Sequence, residues 1–175
     1  MKYKVLHCIE TIGTGGVEQR RLALAEFLDK DKFHQSLICS KVLVDFDKKL
    51  NAHGTGVFPI GEMRHPLNVG YYMKLLRVVK AEKPVIIHGA VFEGIISAVL
   101  AGIVTRTRVI IIEETSDPQN RSWRGHLLLR LLSFFADYVV AISPSVRSYL
   151  IDVAKINPRK VRLIENGVNM PRSPS

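Results

Sequence analysis

Apolar residues fall along this chain in two spacings. Short runs that are apolar at nearly every position, such as Val109-Ile110-Ile111-Ile112, stand between longer stretches in which apolar residues recur every three or four positions. The first spacing suits a strand buried on both faces, the second a helix with one buried side. The pattern predicts strands over residues 3–9, 34–39, 57–60, 85–88, 108–113, 138–142 and 161–164. Between them it predicts helices over 17–28, 45–52, 69–82, 92–103, 124–135 and 145–155. Strands that alternate with helices and carry few polar positions imply a doubly wound α/β domain, with a mainly parallel sheet and helices on both faces.

Local punctuation agrees. In Ser143-Pro144 the serine suits a helix N-cap and the proline the first helical position. Lys83-Pro84 and Asn157-Pro158 close the helices before them. Residues 1–169 read as a single domain, and residues 170–175, rich in Pro and Ser, as a linker or chain end.

Composition narrows the class. The 175 residues are 47% hydrophobic and 23% charged, which fits one globular core. The apolar residues before Glu10 are too few and too interrupted for a secretory leader. No run reaches the roughly 18 apolar residues of a membrane span, so a cytoplasmic protein is the expectation. Cys8 and Cys39 lie far apart without metal-ligand spacing and read as buried thiols; they can bond only if their strands are neighbours. The net charge of +9 is lopsided, with nine Lys/Arg against three Asp/Glu from Arg121 onward. Such a surface draws phosphates or an anionic membrane, or serves solubility alone. Nucleic acid fits less well, because the basic residues are scattered and no reader motif accompanies them.

In open parallel sheets ligands bind beyond the carboxyl ends of the strands, and most polar, glycine-rich loops of this chain fall there. Gly13-Thr14-Gly15-Gly16-Val17-Glu18 follows the first strand and opens a helix. Glycines let a bulky anion approach the backbone, and the helix start aims N–H groups at it. Glu18 stands where a dinucleotide fingerprint needs glycine, and no Gly-Lys-Ser/Thr follows, which disfavours a nicotinamide dehydrogenase and excludes a P-loop. At the other end, Glu165-Asn166-Gly167-Val168-Asn169 makes a sharp turn after the last strand.

These two features, with Leu75-Leu76-Arg77 through Lys83-Pro84-Val85-Ile86-Ile87-His88, with Ala136-Asp137-Tyr138-Val139-Val140-Ala141-Ile142-Ser143 and with the exit Lys160-Val161-Arg162-Leu163-Ile164, stand in a familiar order. The chain resembles the N-terminal domain of a family 4 glycosyltransferase of the GT-B class, over nearly its whole length. The resemblance implies one of two Rossmann-like domains facing a cleft, this one binding the acceptor. The donor-binding domain with its Glu-x7-Glu motif is absent from these residues. It implies transfer from a nucleotide-sugar with retention of configuration, to a saccharide or lipid-linked acceptor, without cofactor or metal. Gly15 and Gly16 take the place against the donor diphosphate, and Asn166 and Gly167 the interdomain hinge. A non-catalytic subunit that binds acceptor or recruits a separate donor-binding chain to the membrane is the alternative.

One departure stands out. The family often carries a histidine after the fifth strand, near the transferred sugar; here that position is Glu114, within Glu113-Glu114-Thr115. A carboxylate there suits sugar hydroxyls or acid/base work, though adjacent strand residues point to opposite faces. His88, with Glu93 five residues on, suits an acceptor site or a structural histidine. Arg64, His65 and Asn68 suit an acceptor phosphate or plain solvation. Asp45-Phe46-Asp47 mimics a metal-binding DxD pair but begins a helix, where acidic residues suit the dipole. The stretch 121–135 carries Trp123, five leucines and two phenylalanines beside Arg124, His126 and Arg130. It suits either a helix lying on a membrane or, because its leucines exceed a narrow stripe, a core helix with solvated arginines.

Overall fold

The structure, a computed structural model, describes residues 2–12, 16–42, 45–65, 68–115 and 122–165. In chain order the elements are β1 (Tyr3–Cys8), β2 (Thr11–Ile12), α1 (Gly16–Phe27), β3 (Phe33–Cys39), β4 (Lys41–Val42), α2 (Phe46–Ala52), β5 (Gly56–Pro59) and α3 (Val69–Glu82). There follow β6 (Ile86–Ala90), α4 (Phe92–Thr105), β7 (Val109–Glu114), α5 (Trp123–Phe135), β8 (Tyr138–Ala141), α6 (Pro144–Ser148) and β9 (Val161–Leu163). Seven strands form one parallel sheet in the order β5-β3-β1-β6-β7-β8-β9. The expected doubly wound α/β domain is the observed one.

Strand register sorts side chains into two layers. On one face Leu6, Cys8, Ile38, Ile87, Ile110, Ile112, Val139 and Val161 pack with Leu75 and Val79 of α3, Ile95 and Ala98 of α4, Leu129 of α5 and Val146 of α6. On the other, Leu37, Cys39 and Ala90 pack with Ala25 of α1 and Phe46 and Leu50 of α2. Cys8 pairs with Ile38 across β1 and β3, so Cys39 lies one residue further and faces the opposite layer. The cysteine strands are neighbours, yet both thiols are free and buried, and burial pushes each up to about 12.

Helix ends follow local chemistry. Asn68 Oδ1 accepts from Tyr71 N at 3.1 Å to start α3, and Ser143 Oγ from Val146 N at 3.2 Å to start α6, with Pro144 next in line. Lys160 Nζ closes α5 from outside by donating to the carbonyls of Ser133, Phe134 and Ala136 at 3.1, 2.7 and 2.7 Å. Asp137, in the gap between α5 and β8, accepts from Ile110 N at 2.7 Å and ties β8 to the start of β7.

Two local differences from the expected pattern have physical reasons. The helix expected over 145–155 is α-helical only to Ser148; Tyr149–Val153 widens into a π-helical turn with Tyr149 and Leu150 both buried. β2 and β4, two residues each, form a separate parallel pair beyond the carboxyl ends of β1 and β3. Two residues carry no periodicity to read.

Candidate functional site

The sheet reverses its winding between β1 and β6, which opens a crevice beyond their carboxyl ends. Two helices begin at that crevice, α1 after β1 and α4 after β6. The start of α4 is seated hard on the sheet. A Cβ on Gly94 would collide with the Cys8 carbonyl, and one on Gly89 with the Gly94 backbone, so only glycine permits this approach of helix to strand. Val91, between β6 and α4, holds φ +63° and ψ 155°, a conformation that a β-branched residue rarely adopts. The strained peptide therefore sits where ligands of this fold bind.

Beneath the crevice lies a buried polar cluster. His7 of β1 pairs in register with His88 of β6, their rings 5.3 Å apart, and β7 brings Glu113 to the same face. Two successive arginines of α1 descend onto this carboxylate. Arg21 Nη2 donates to Glu113 Oε2 at 2.7 Å, and Arg20 Nη1 meets Oε1 at 2.6 Å. His88 Nε2 lies 3.2 Å from Oε2. Arg20 Nε also donates to the carbonyl of Gly16 at 3.2 Å, so one guanidinium links the sheet carboxylate to the residue that opens α1. A Cβ on Gly16 would meet open space, leaving the helix start accessible.

Charge follows from these contacts. Burial alone would raise the Glu113 carboxyl, but the contact with His88 and the charges of Arg21 and Arg20 outweigh it and hold it well below the usual carboxylate range. Burial pushes both histidines below their ordinary value of 6.5, Arg21 pushes them further, and Glu113 opposes the shift. The cluster is thus an ionised carboxylate between two guanidiniums, flanked by neutral imidazoles.

The structure unites some of the residues singled out from sequence and separates others. His88 is half-buried, and its Nε2 faces Glu113. Glu114, the last residue of β7, is buried on the opposite face of that strand from Glu113. Glu93 stands half-buried in the first turn of α4, and its charge helps raise the Glu10 carboxyl after burial. Arg64 is exposed in the segment after β5, and the Asn68 side chain serves as the α3 cap. Gly16 opens α1; Gly15, Asn166 and Gly167 lie outside the described residues. Asp45 pairs with Lys48 at 2.9 Å, while Asp47 occupies the first turn of α2. Among the described residues no group of three or more His, Cys, Asp or Glu side chains is arranged to hold a metal ion. Arg20, Arg21 and His7 were not legible as site residues. For the two arginines the available signal was charge at helix positions that the spacing marks as partly inward; for His7 it was a polar residue within an apolar strand.

A parallel sheet with its crevice at the winding reversal, and a glycine-opened helix at that crevice, define a Rossmann-like α/β fold. The family model of Glycosyltransferase Family 4 matches residues 14–172, and the chain belongs to that family. Among solved structures, a glycosyltransferase from Rickettsia africae superposes with a TM-score of 0.70 at 21% identity, covering 96% of this chain and 44% of its own. Anabaena Alr3699/HepE, in complex with UDP and glucose, gives 0.70 at 17% identity, covering 93% and 45%. The UDP-GlcNAc 2-epimerase from Neisseria meningitidis, bound to UDP-GlcNAc, gives 0.58 at 15%, covering 91% and 45%. This chain therefore spans a little under half the length of these structures. No curated protein sequence matches it significantly.

Two outcomes follow from the cluster. Arg21→Met leaves part of a buried carboxylate charge unmatched and is expected to cost about 3 kcal/mol in urea unfolding; an unchanged midpoint would show that the pair is not needed. The protonation pattern also sets a pH dependence. Below 6.5 the unfolded chain takes up protons that folded His7 and His88 refuse, and below 4.5 it takes up one that folded Glu113 refuses. Both push the same way, so unfolding free energy falls as pH drops from 7 towards 4, by about 1–2 kcal/mol per pH unit. Urea melts at pH 7, 6 and 5 read this directly.

Proposed function

We propose that this chain is the acceptor-side domain of a retaining glycosyltransferase. The whole enzyme moves a sugar from a nucleotide-sugar donor to a saccharide or lipid-linked acceptor, at the cytoplasmic face of a membrane. The observation that carries the reading is the link from Glu113 through Arg20 to Gly16, which holds the start of α1 at the sheet's winding reversal. Amide groups at that helix start suit the charge that develops on a departing nucleoside diphosphate, and Gly15 and Gly16 are the residues assigned to it. The acceptor enters along β6, β7 and the loop after β5. Glu93 and Arg64 belong to that wall, whereas His88 faces Glu113, Glu114 is buried and the Asn68 side chain caps α3, and the acceptor hydroxyl attacks from the side the diphosphate leaves. Asn166 and Gly167 carry the chain to a donor-binding domain.

Because the nucleotide needs the opposite wall, residues 1–175 alone are expected to bind UDP with a Kd above about 1 mM and to show no turnover with UDP-sugars. Calorimetry and product analysis test this. Sub-micromolar UDP affinity or robust transfer by the chain alone would overturn it.

The alternative role in membrane recruitment is favoured by one observation. No described helix is long and apolar enough to cross a membrane. The outer side of α5, however, exposes Trp123, Leu127, Leu131 and Phe134, with Arg124 stacked on Trp123 at 5.4 Å and Arg130 alongside. Only Leu129, Leu132 and Ser133 of this helix are buried. An apolar stripe edged by arginines suits an anionic bilayer surface. The double substitution Leu127→Glu and Leu131→Glu is expected to reduce co-sedimentation with phosphatidylglycerol vesicles at least fivefold while leaving the melting temperature unchanged. Equal sedimentation would exclude this face.

A further inference from the structure

At the opposite end of the sheet from the crevice, where β1, β6 and β7 begin, lies an open cavity of about 660 Å³. Val79, Pro84 and Val85 are among the residues that line it, and five cations surround it: Lys2, Lys80, Lys83, Arg106 and Arg108. No carboxylate lines the cavity, and none of the five cations makes an ion pair among the described residues. Hydroxyls of Thr105 and Thr107, joined at 2.8 Å, lie on the same wall.

Two of these cations stand in unusual places. Lys83 ends α3 and Arg106 ends α4, both with left-handed backbone (φ 50° and 54°), where glycine is the common residue. A cation at a helix C-terminus offsets the helix dipole, which accounts for Lys83, Arg106 and Lys80 taken singly. It does not account for Lys2 and Arg108, which belong to no helix and precede β1 and β7. Nor does it account for all five meeting around one hollow with an apolar floor. The volume falls within the range of small-ligand sites.

We propose that this cavity is a second anion site, which binds a multiply charged phosphate group and rests any apolar part of the ligand on Val79, Pro84 and Val85. A six-residue strand separates it from the crevice by about 20 Å. A ligand here therefore contacts neither α1's start nor α4's.

The chain, with isotope-labelled amides, is titrated with inorganic pyrophosphate and, separately, with dihexanoyl phosphatidic acid below its micelle concentration. Amide shifts are expected at residues 83–85 and 106–108. The double variant Lys83→Gly and Arg106→Gly is expected to bind at least tenfold more weakly with an unlowered melting temperature, since glycine suits both backbone positions. A second pair, Lys80→Gln and Arg108→Gln, which leaves the left-handed positions untouched, is expected to weaken binding at least fivefold. Tighter binding of the phosphatidic acid than of pyrophosphate assigns the site to a lipid headgroup, and equal or weaker binding to a soluble phosphate; either result supports the site. Shifts confined to residues 16–18 and 91–93, or affinity unchanged in both double variants, would overturn it.

Discussion

The Glu113 carboxylate is the point on which the working end of this domain depends. An ionised carboxylate in a nearly dry sheet is costly unless its partners meet it with matched charge and geometry. Here the partners are two consecutive residues of α1, so the requirement of one buried charge fixes the position of a whole helix. Consecutive helical residues diverge by about 100°, and both can reach one carboxylate only if the helix passes close over it. Arg20 then extends the restraint to the Gly16 carbonyl, the first residue of α1. The start of α1 is thus held by an ion cluster one layer below it.

The neighbouring helix is held by different means. At α4 the restraint is steric. Its first turn lies directly on β1 and β6 because Gly89 and Gly94 present no side chains, and contact of backbone with backbone sets the distance. Val91 absorbs the resulting bend in an unfavourable conformation. The two helix starts of the crevice are therefore positioned by separate physical terms, electrostatic under α1 and steric under α4. Strain at the second is compatible with a stable domain because the surrounding core is continuous from β5 to β9.

Membership of Glycosyltransferase Family 4 gives this geometry its chemical sense, while the structural neighbours mark what the fold leaves open. The same half-molecule superposes on a glycosyltransferase and on an epimerase, which differ in reaction. The shared part is a sheet with a crevice, and that fold does not by itself fix the reaction. α5 illustrates how such a half exposes surface. Its apolar residues surround the helix rather than lining one side, and the layer over the sheet accommodates only part of them.

Much of the architecture was legible in the residues alone. Uninterrupted apolar runs such as Val109–Ile112 can be satisfied only between two layers, so the parallel sheet and its flanking helices followed from local pattern, as did the Ser143-Pro144 cap; the capping role of Asn68 did not. Gly16 as the opening residue of a helix was equally local. The carboxylate that matters to α1 was not. Glu113 and Glu114 are chemically identical and adjacent, and only strand register decides which meets Arg21, 92 residues away in the chain, together with Arg20 and His88. The fate of α5's leucines depended likewise on how much room the sheet leaves beneath it. Periodicity is a property of neighbours in sequence and is written there; burial, pairing of charge and the shift of a proton equilibrium belong to neighbours in space, which come into being only when the sheet closes its register.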